Sequence, residues 1–240
     1  MIKVSFSWDD GAIEDMKLMD HLLKLSVPSI FFIPGSNAER PVLAKTQIRE
    51  LSENGFEIGA HTFSHQYLTN VSLDKAKEEI VSGKDFLEQI IGQEINHFCF
   101  PGGRYNSQHL EIARNYFKTV RSADTGAIIN HDSFLIKPAF QFYNRGRKSV
   151  LYNSFRNLSP IFPITLKRLL VSDYFNFIQL VINDLSLSEN DYYINIWGHS
   201  WEIDENNLWG DLESFINFLR EINSRCIITY TDSVSVLSSS

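Results

Sequence analysis

The strongest constraint on this chain is a repeated alternation of short apolar segments with longer amphipathic ones. Residues 4–8 alternate with period two and read as a strand, and 16–25 carry Met16, Met19, Leu22 and Leu23 at helical spacing. Residues 29–33 form a compact apolar strand closed by Pro34-Gly35. Residues 46–54 read as a helix ending at Gly55, a residue suited to a left-handed C-cap. The rhythm continues with a strand at 56–60, a long helix at 73–91 capped by Ser72, a strand at 96–100, a helix at 109–116 and a strand at 119–122. Further on, 135–140 reads as a strand, 164–185 as a helix, 192–197 as a strand, 212–222 as a helix and 226–230 as a final strand. Repeated β-α units of this kind imply a parallel sheet with helices outside it. The expectation is a distorted (β/α) barrel of about seven parallel strands, with an open doubly wound sheet as the alternative. Repeats, low-complexity tracts and linker-like shifts are absent, so 1–240 is expected to be a single domain.

One stretch breaks the rhythm. Residues 141–163 show no clear periodicity and carry Arg145, Arg147, Lys148 and Arg156 among Phe142, Tyr143, Tyr152 and Phe155. They read as an irregular basic and aromatic excursion. As a solvated surface segment it needs no function; as a loop over a site it would meet an anionic substrate.

Charge and composition narrow the partners. A net charge of -7 argues against nucleic acid as the main partner, which calls for a basic face. No apolar run reaches the ~20 residues of a membrane span. The first strand runs straight into Asp9 and Asp10 without the apolar stretch of a signal peptide, so a cytoplasmic protein is expected. Cys99 and Cys226 form no C-x-x-C pair, which speaks against a thiolate metal site or a redox pair.

Polar residues gather where apolar strands end, and that is where parallel α/β proteins place their sites. Asp9 and Asp10 end the first strand. Adjacent carboxylates repel, and a cation would offset this while leaving one of them free as a base; the alternative is simple turn chemistry in Asp-Asp-Gly. His61 and His65 follow the strand at 56–60. If that segment is helical, the spacing of four puts both imidazoles on one face, facing one metal; the alternative is a pair of surface histidines. Two histidines and one carboxylate with open positions left over make a catalytic metal site for hydrolysis. Pro101-Gly102-Gly103 ends another strand, where glycine lets the backbone approach a ligand and a backbone N–H can meet an oxyanion, or merely forms a tight turn. His199 ends a late strand and can act as a general acid or stay structural. His21, His97, His109 and His131 receive no role, and Met16 and Met19 read as core.

Taken in order, Ser7-Trp8-Asp9-Asp10-Gly11, His61-Thr62-Phe63-Ser64-His65, Pro101-Gly102-Gly103-Arg104-Tyr105-Asn106 and His199 resemble the motifs of the polysaccharide deacetylase family. This is the NodB-homology domain, carbohydrate esterase family four. The resemblance spans roughly residues 1–200 and is anchored in the first 110. It implies a distorted barrel and metal-dependent removal of an N-acetyl group from a sugar. It implies Asp10, His61 and His65 as ligands of one divalent metal, zinc first, with cobalt, nickel or manganese as alternatives. Asp9 becomes the base that activates water, Gly102 a backbone donor to the oxyanion and His199 the acid that protonates the departing amine. Arg104, Tyr105 and Trp201 become candidate substrate contacts. The family's third motif often opens with an Arg that touches the catalytic Asp; Cys99 stands there, and Arg121 at the end of the next strand is the candidate replacement. The usual Asp-Trp motif is not visible, and Arg121-Ser122-Ala123-Asp124 sits about where it belongs. The expected partner is a carbohydrate or a sugar-bearing small molecule. A deformylase, another linear or cyclic amide hydrolase and a non-catalytic carbohydrate-binding homologue are the alternatives. The oligomeric state is not legible.

Overall fold

The computed structural model describes residues 1–128, 134–143, 147–156, 161–168, 173–222 and 226–229. Its elements are β1 (Ile2–Asp9), α1 (Asp15–Lys24), β2 (Ser29–Ile33), α2 (Lys45–Glu53), β3 (Glu57–Ala60), α3 (Leu73–Ile91), β4 (His97–Cys99), α4 (Ser107–Arg114) and β5 (Thr119–Arg121). There follow β6 (Leu135–Ile136), β7 (Phe140–Gln141), α5 (Arg147–Arg156), α6 (Phe162–Arg168), α7 (Tyr174–Ser186), β8 (Tyr192–Gly198), α8 (Ser200–Glu205), α9 (Trp209–Glu221) and β9 (Cys226–Ile228). The strand order is β6-β5-β4-β3-β2-β1-β8-β7, with β9 added against β1, and every pairing is parallel.

Simple reach shows that this sheet is curled. Laid flat, the strands from β6 to β7 would span about 34 Å at ~4.8 Å per neighbour. Yet only Lys137, Pro138 and Ala139 separate Ile136 from Phe140 in the chain. Four Cα steps reach at most about 14 Å. The segment therefore joins the two edges, pairing β5 with its first half and β8 with its second. The predicted strand at 135–140 is this closing segment. Counted as one, it leaves seven strands around the ring besides β9 among the described residues, in line with the expected barrel.

The two faces of the sheet differ. Val4, Phe6 and Trp8 of β1 join the large apolar core, with Phe31 and Ile33 of β2 and the buried faces of the helices. Each fully buried Phe there contributes roughly 1.5–3 kcal/mol. The alternate residues of β1 belong to the opposite face. Ser5 is 2.6 Å from the Tyr193 hydroxyl, Asn195 donates to Ser5 at 3.0 Å, and Ser7 donates to Asn195 at 3.2 Å. These groups are buried and satisfy one another. Asp9 continues the same face to the C-terminal rim.

The first half follows the sequence reading closely: β2 and α3 have the predicted bounds, and Ser72 caps α3 by accepting from the Lys75 amide. The second half brings corrections. Within 141–163, predicted as an irregular excursion, the described residues include the helix α5 and the start of α6, while 144–146 and 157–160 lie outside the described residues. The predicted helix at 164–185 is two helices, α6 and α7, with 169–172 outside the described residues. Tyr230 of the predicted final strand, Arg145 of the basic stretch and His131 also lie outside them. No described helix is long and apolar enough to cross a membrane.

Candidate metal and catalytic site

Three rim segments converge on Asp10. Asp10 Oδ1 lies 3.0 Å from His65 Nε2 and 3.6 Å from His61 Nε2, and the three donor atoms fall within 4.8 Å of one another. Asp10 and His61 are buried and His65 nearly so. The His61 Nδ1 sits 2.8 Å from the Cys99 carbonyl oxygen, which can only accept. In the neutral ring Nδ1 therefore carries the hydrogen, and the Nε2 lone pair faces Asp10. A carboxylate and two oriented imidazole nitrogens are a fitting donor set for a divalent metal such as zinc.

The histidines do not meet through a helix, as the spacing of four suggests. Residues 61–67 are a loop, in which Thr62 and His65 have positive φ (64° and 57°), and Asp10 has φ 79°. Left-handed backbone at non-glycine residues costs of order 1–3 kcal/mol each and persists only where the surroundings enforce it. Here α3 enforces it. Glu79, buried on its inner face, accepts from the Ser64 amide at 2.8 Å and the Ser64 hydroxyl at 2.9 Å, and its carbonyl accepts from the Phe63 amide at 3.0 Å. Gly83 lets the helix approach so closely that a Cβ there would stand 2.7 Å from the Thr62 carbonyl carbon. A carboxylate on the apolar stripe of α3 was the signal in the sequence.

Asp9 is held from below. The buried Arg121 guanidinium bonds both oxygens of the Asp9 carboxylate, and also donates to the Ser122 carbonyl at 3.0 Å and to Cys99 Sγ at 3.0 Å. The strand-end arginine thus occupies the place for which it was considered. Cys99 Sγ lies 3.7 Å from Asp9 Oδ2, and burial pushes its thiol well above the ordinary range. Among the described residues Asp9, His61 and Cys99 form a second donor group, but the fixed cation of Arg121 opposes a metal there.

On the other side of Asp10, His199 Nε2 stands 3.8 Å from Oδ2. Its Nδ1 is 2.7 Å from Glu202 Oε2, and Gln141 Nε2 donates to the same oxygen at 3.0 Å. Burial alone would lower the His199 pKa; Glu202, then Asp10, outweigh it and hold the ring above its ordinary value. Burial likewise pushes the Asp10 carboxyl up, and the facing His61 and His65 with His199 behind them bring it well below the carboxylate range. The sequence reading passed over Glu202 and Gln141. The signal for Glu202 was a carboxylate three residues after a strand-end histidine, on the short helix α8 that had no predicted counterpart.

Trp201, expected at the substrate, is engaged with the site itself. Its Nε1–H donates to Asp10 Oδ2 at 3.0 Å, its ring stacks on His199 at 5.0 Å, and the Arg40 guanidinium lies 3.6 Å from its ring centre. Gly102 has φ 58°, and a Cβ there would stand 2.7 Å from the Tyr67 ring. Arg104 lies over Tyr67 at 4.5 Å, while Tyr105 stacks on Phe100 at 4.7 Å; neither contact involves a cluster residue.

A curled parallel α/β sheet with two histidines and a carboxylate on its C-terminal rim is a layout shared by metal-dependent hydrolases. Residues 2–120 match the family model for polysaccharide deacetylase, which relates this part of the chain to that family. A peptidoglycan-N-acetylglucosamine deacetylase of Bacillus cereus is 31% identical over 114 residues, 46% of this chain and 51% of the relative. The chain spans about half the length of such curated relatives. A family 4 carbohydrate esterase from Bacillus anthracis has the same fold, with TM-score 0.61, 16% identity, and coverage of 99% of this chain and 83% of that one. A family pseudoenzyme from the same organism does too, with TM-score 0.54, 13% identity, and coverage of 93% and 62%.

Proposed function

We propose that this chain is a metal-dependent N-deacetylase of N-acetylated sugars, with zinc as its metal. One observation carries the reading: Asp10, His61 and His65 converge beside an ionic Asp9–Arg121 pair and opposite a carboxylate-held His199. The likeness to the pseudoenzyme shows that fold alone does not decide catalysis, so these side chains matter more than the barrel.

A divalent cation on the three donors would polarise the amide carbonyl and make a water acidic enough to attack near neutral pH. The remaining work falls to the chain. Arg121 bonds both oxygens of Asp9 and fixes the plane of its carboxylate, which receives the proton of the attacking water. The Gly102 backbone N–H is the donor assigned to the carbonyl oxygen as it gains charge. Glu202 accepts from His199 Nδ1, which leaves Nε2 to carry the proton to the departing amine. The carbon–nitrogen bond then breaks to give acetate and a free amino sugar. Burial of Asp9, Asp10 and His61 strengthens each of these interactions by excluding water.

Acetate release from β-1,4-linked N-acetylglucosamine oligomers is the direct test. It is expected in metal-replete protein, to vanish on chelation and to return with zinc. Release that continues at full rate in metal-free protein would falsify the reading.

A further inference from the structure

The helices α5 and α6 present a surface on which cations and apolar side chains stand together. Val150 and Ser154 are the buried residues of α5, so Lys148, Tyr152, Phe155 and Arg156 form a stripe on its opposite side. All four are exposed, Tyr152 at 64% and Phe155 at 59%. The neighbouring α6 continues the surface: its Phe162 ring meets the Phe155 ring at 5.2 Å. Thr165 is the buried residue of α6, while Pro163, Leu166 and Lys167 are exposed.

The charge of this part of the chain is opposite to that of the rest. Residues 133–172 hold seven of the 22 basic residues and none of the 29 acidic ones, in a chain whose net charge is -7. Arg156 and Arg168 reach acidic partners contributed by other segments, Asp124 at 2.8 Å and Asp184 at 2.7 Å. Screening over about 8 Å at physiological salt keeps the acidic remainder from cancelling the block.

The surface also has a fixed place. Asn153 donates to the Thr125 hydroxyl at 2.7 Å, and a Cβ at Gly126 would meet the Ser154 amide nitrogen at 2.7 Å, so α5 is seated on the segment that follows β5. The last residue of β5 is Arg121, which grips Asp9. The helices therefore stand on the same end of the barrel as the catalytic cluster.

We infer that the exposed side of α5 and α6 docks on an anionic lipid bilayer, with the catalytic rim beside the membrane. Lys and Arg meet the negative headgroups, the Tyr152 ring suits the headgroup level, and Phe155 and Leu166 reach the apolar boundary below it. A second copy of the chain fits less well, because interface cores are depleted in lysine. This docking is independent of the deacetylase reading.

Co-sedimentation of the full chain with vesicles tests it, using phosphatidylcholine alone and with phosphatidylglycerol at about one lipid in three. Binding is expected to the anionic vesicles, at least tenfold tighter than to the neutral ones, and to weaken as salt is raised. Lys148→Glu with Lys167→Glu should weaken it by tenfold or more, at roughly fivefold for each lysine lost. Tyr152→Ala with Phe155→Ala should weaken it about tenfold while keeping the salt dependence. Lys77→Glu with Lys118→Glu, the same charge change at exposed positions elsewhere, should leave it within about twofold. Circular dichroism checks that each variant folds. No binding to anionic vesicles, equal binding to both kinds, or equal loss in the Lys77 and Lys118 variant overturns the inference. So does a dimer, seen by equilibrium sedimentation without lipid, that Tyr152→Ala with Phe155→Ala dissociates, because the surface then belongs to a second copy.

Discussion

The proposed ligand side of the site and the proposed acid side are held by opposite means. On the ligand side, Asp10 and His65 sit in left-handed backbone, and a loop is forced into place by Glu79 and the close approach at Gly83. On the acid side the backbone is ordinary: His199 follows β8 in extended conformation, and side chains do the positioning, from Gln141 to Glu202 to the ring. The ligand side falls within residues 2–120, which match the family model, and the acid side falls outside them. The difference suggests a division of labour. A metal needs three atoms fixed to within tenths of an ångström, which rigid backbone provides. A proton donor needs a tuned pKa, which neighbouring charges provide.

The largest effect is expected where the backbone holds a proposed ligand. His61→Ala should lower kcat by roughly 10³-fold or more and abolish stoichiometric zinc uptake, because Lewis-acid assistance is worth several kcal/mol. Metal analysis and acetate release on the same preparation check it; a variant that binds zinc and turns over normally breaks the ligand assignment. On the acid side, Glu202→Gln should lower kcat by about 10–100-fold, the scale of lost orientation at an outer partner. It should also move the pH profile. The His199 pKa is raised in the native protein, so the protonated acid persists to higher pH and activity falls as pH rises through that value. Without the Glu202 charge the pKa drops, and the alkaline limb shifts to lower pH. An unmoved limb would remove His199 from the role of acid.

Glu79→Gln tests whether strain on the ligand side is enforced from α3. The amide keeps the size of the side chain but loses the charge that holds the Ser64 amide and hydroxyl. Zinc affinity should fall about tenfold, and stability by ~1–3 kcal/mol from the weakened charged hydrogen bonds. Competition against a chelator and denaturant titration measure the two. The alkaline limb of the profile should not move, since His199 does not touch this loop.

The same contrast explains what could be read in the sequence. The β-α rhythm up to β5 is local, so the strand ends, and with them Asp9, Asp10 and the glycine turn, were visible. Arg121 could be placed because a strand end fixes its level on the barrel. The way His61 and His65 meet was not visible: helical spacing offered a simple route, whereas Thr62 and His65 take left-handed φ only because α3 packs against them. Helix α5 was missed for a related reason. Val150 and Ser154 are its buried residues while Tyr152 and Phe155 face out, so its apolar stripe is too narrow to show a period. Docking on Gly126 and Thr125 holds it instead, and those contacts lie more than twenty residues away in the chain.

Trp201 is the one side chain that belongs to both sides, and it offers the finest test of their separation. Its N–H holds Oδ2 of Asp10, leaving Oδ1 toward the two histidines, and its ring face lies on His199. Trp201→Phe removes the N–H and keeps an aromatic face. If the two sides are independent, zinc affinity falls by about tenfold, as expected for the loss of a hydrogen bond to a metal-ligating carboxylate. At saturating zinc, kcat should then recover to within a few-fold and the alkaline limb should keep its position, because Glu202 still holds His199. A limb that shifts in Trp201→Phe as far as it does in Glu202→Gln would mean that the indole, and not the carboxylate alone, sets the acid, and that the two sides of the site are coupled through it.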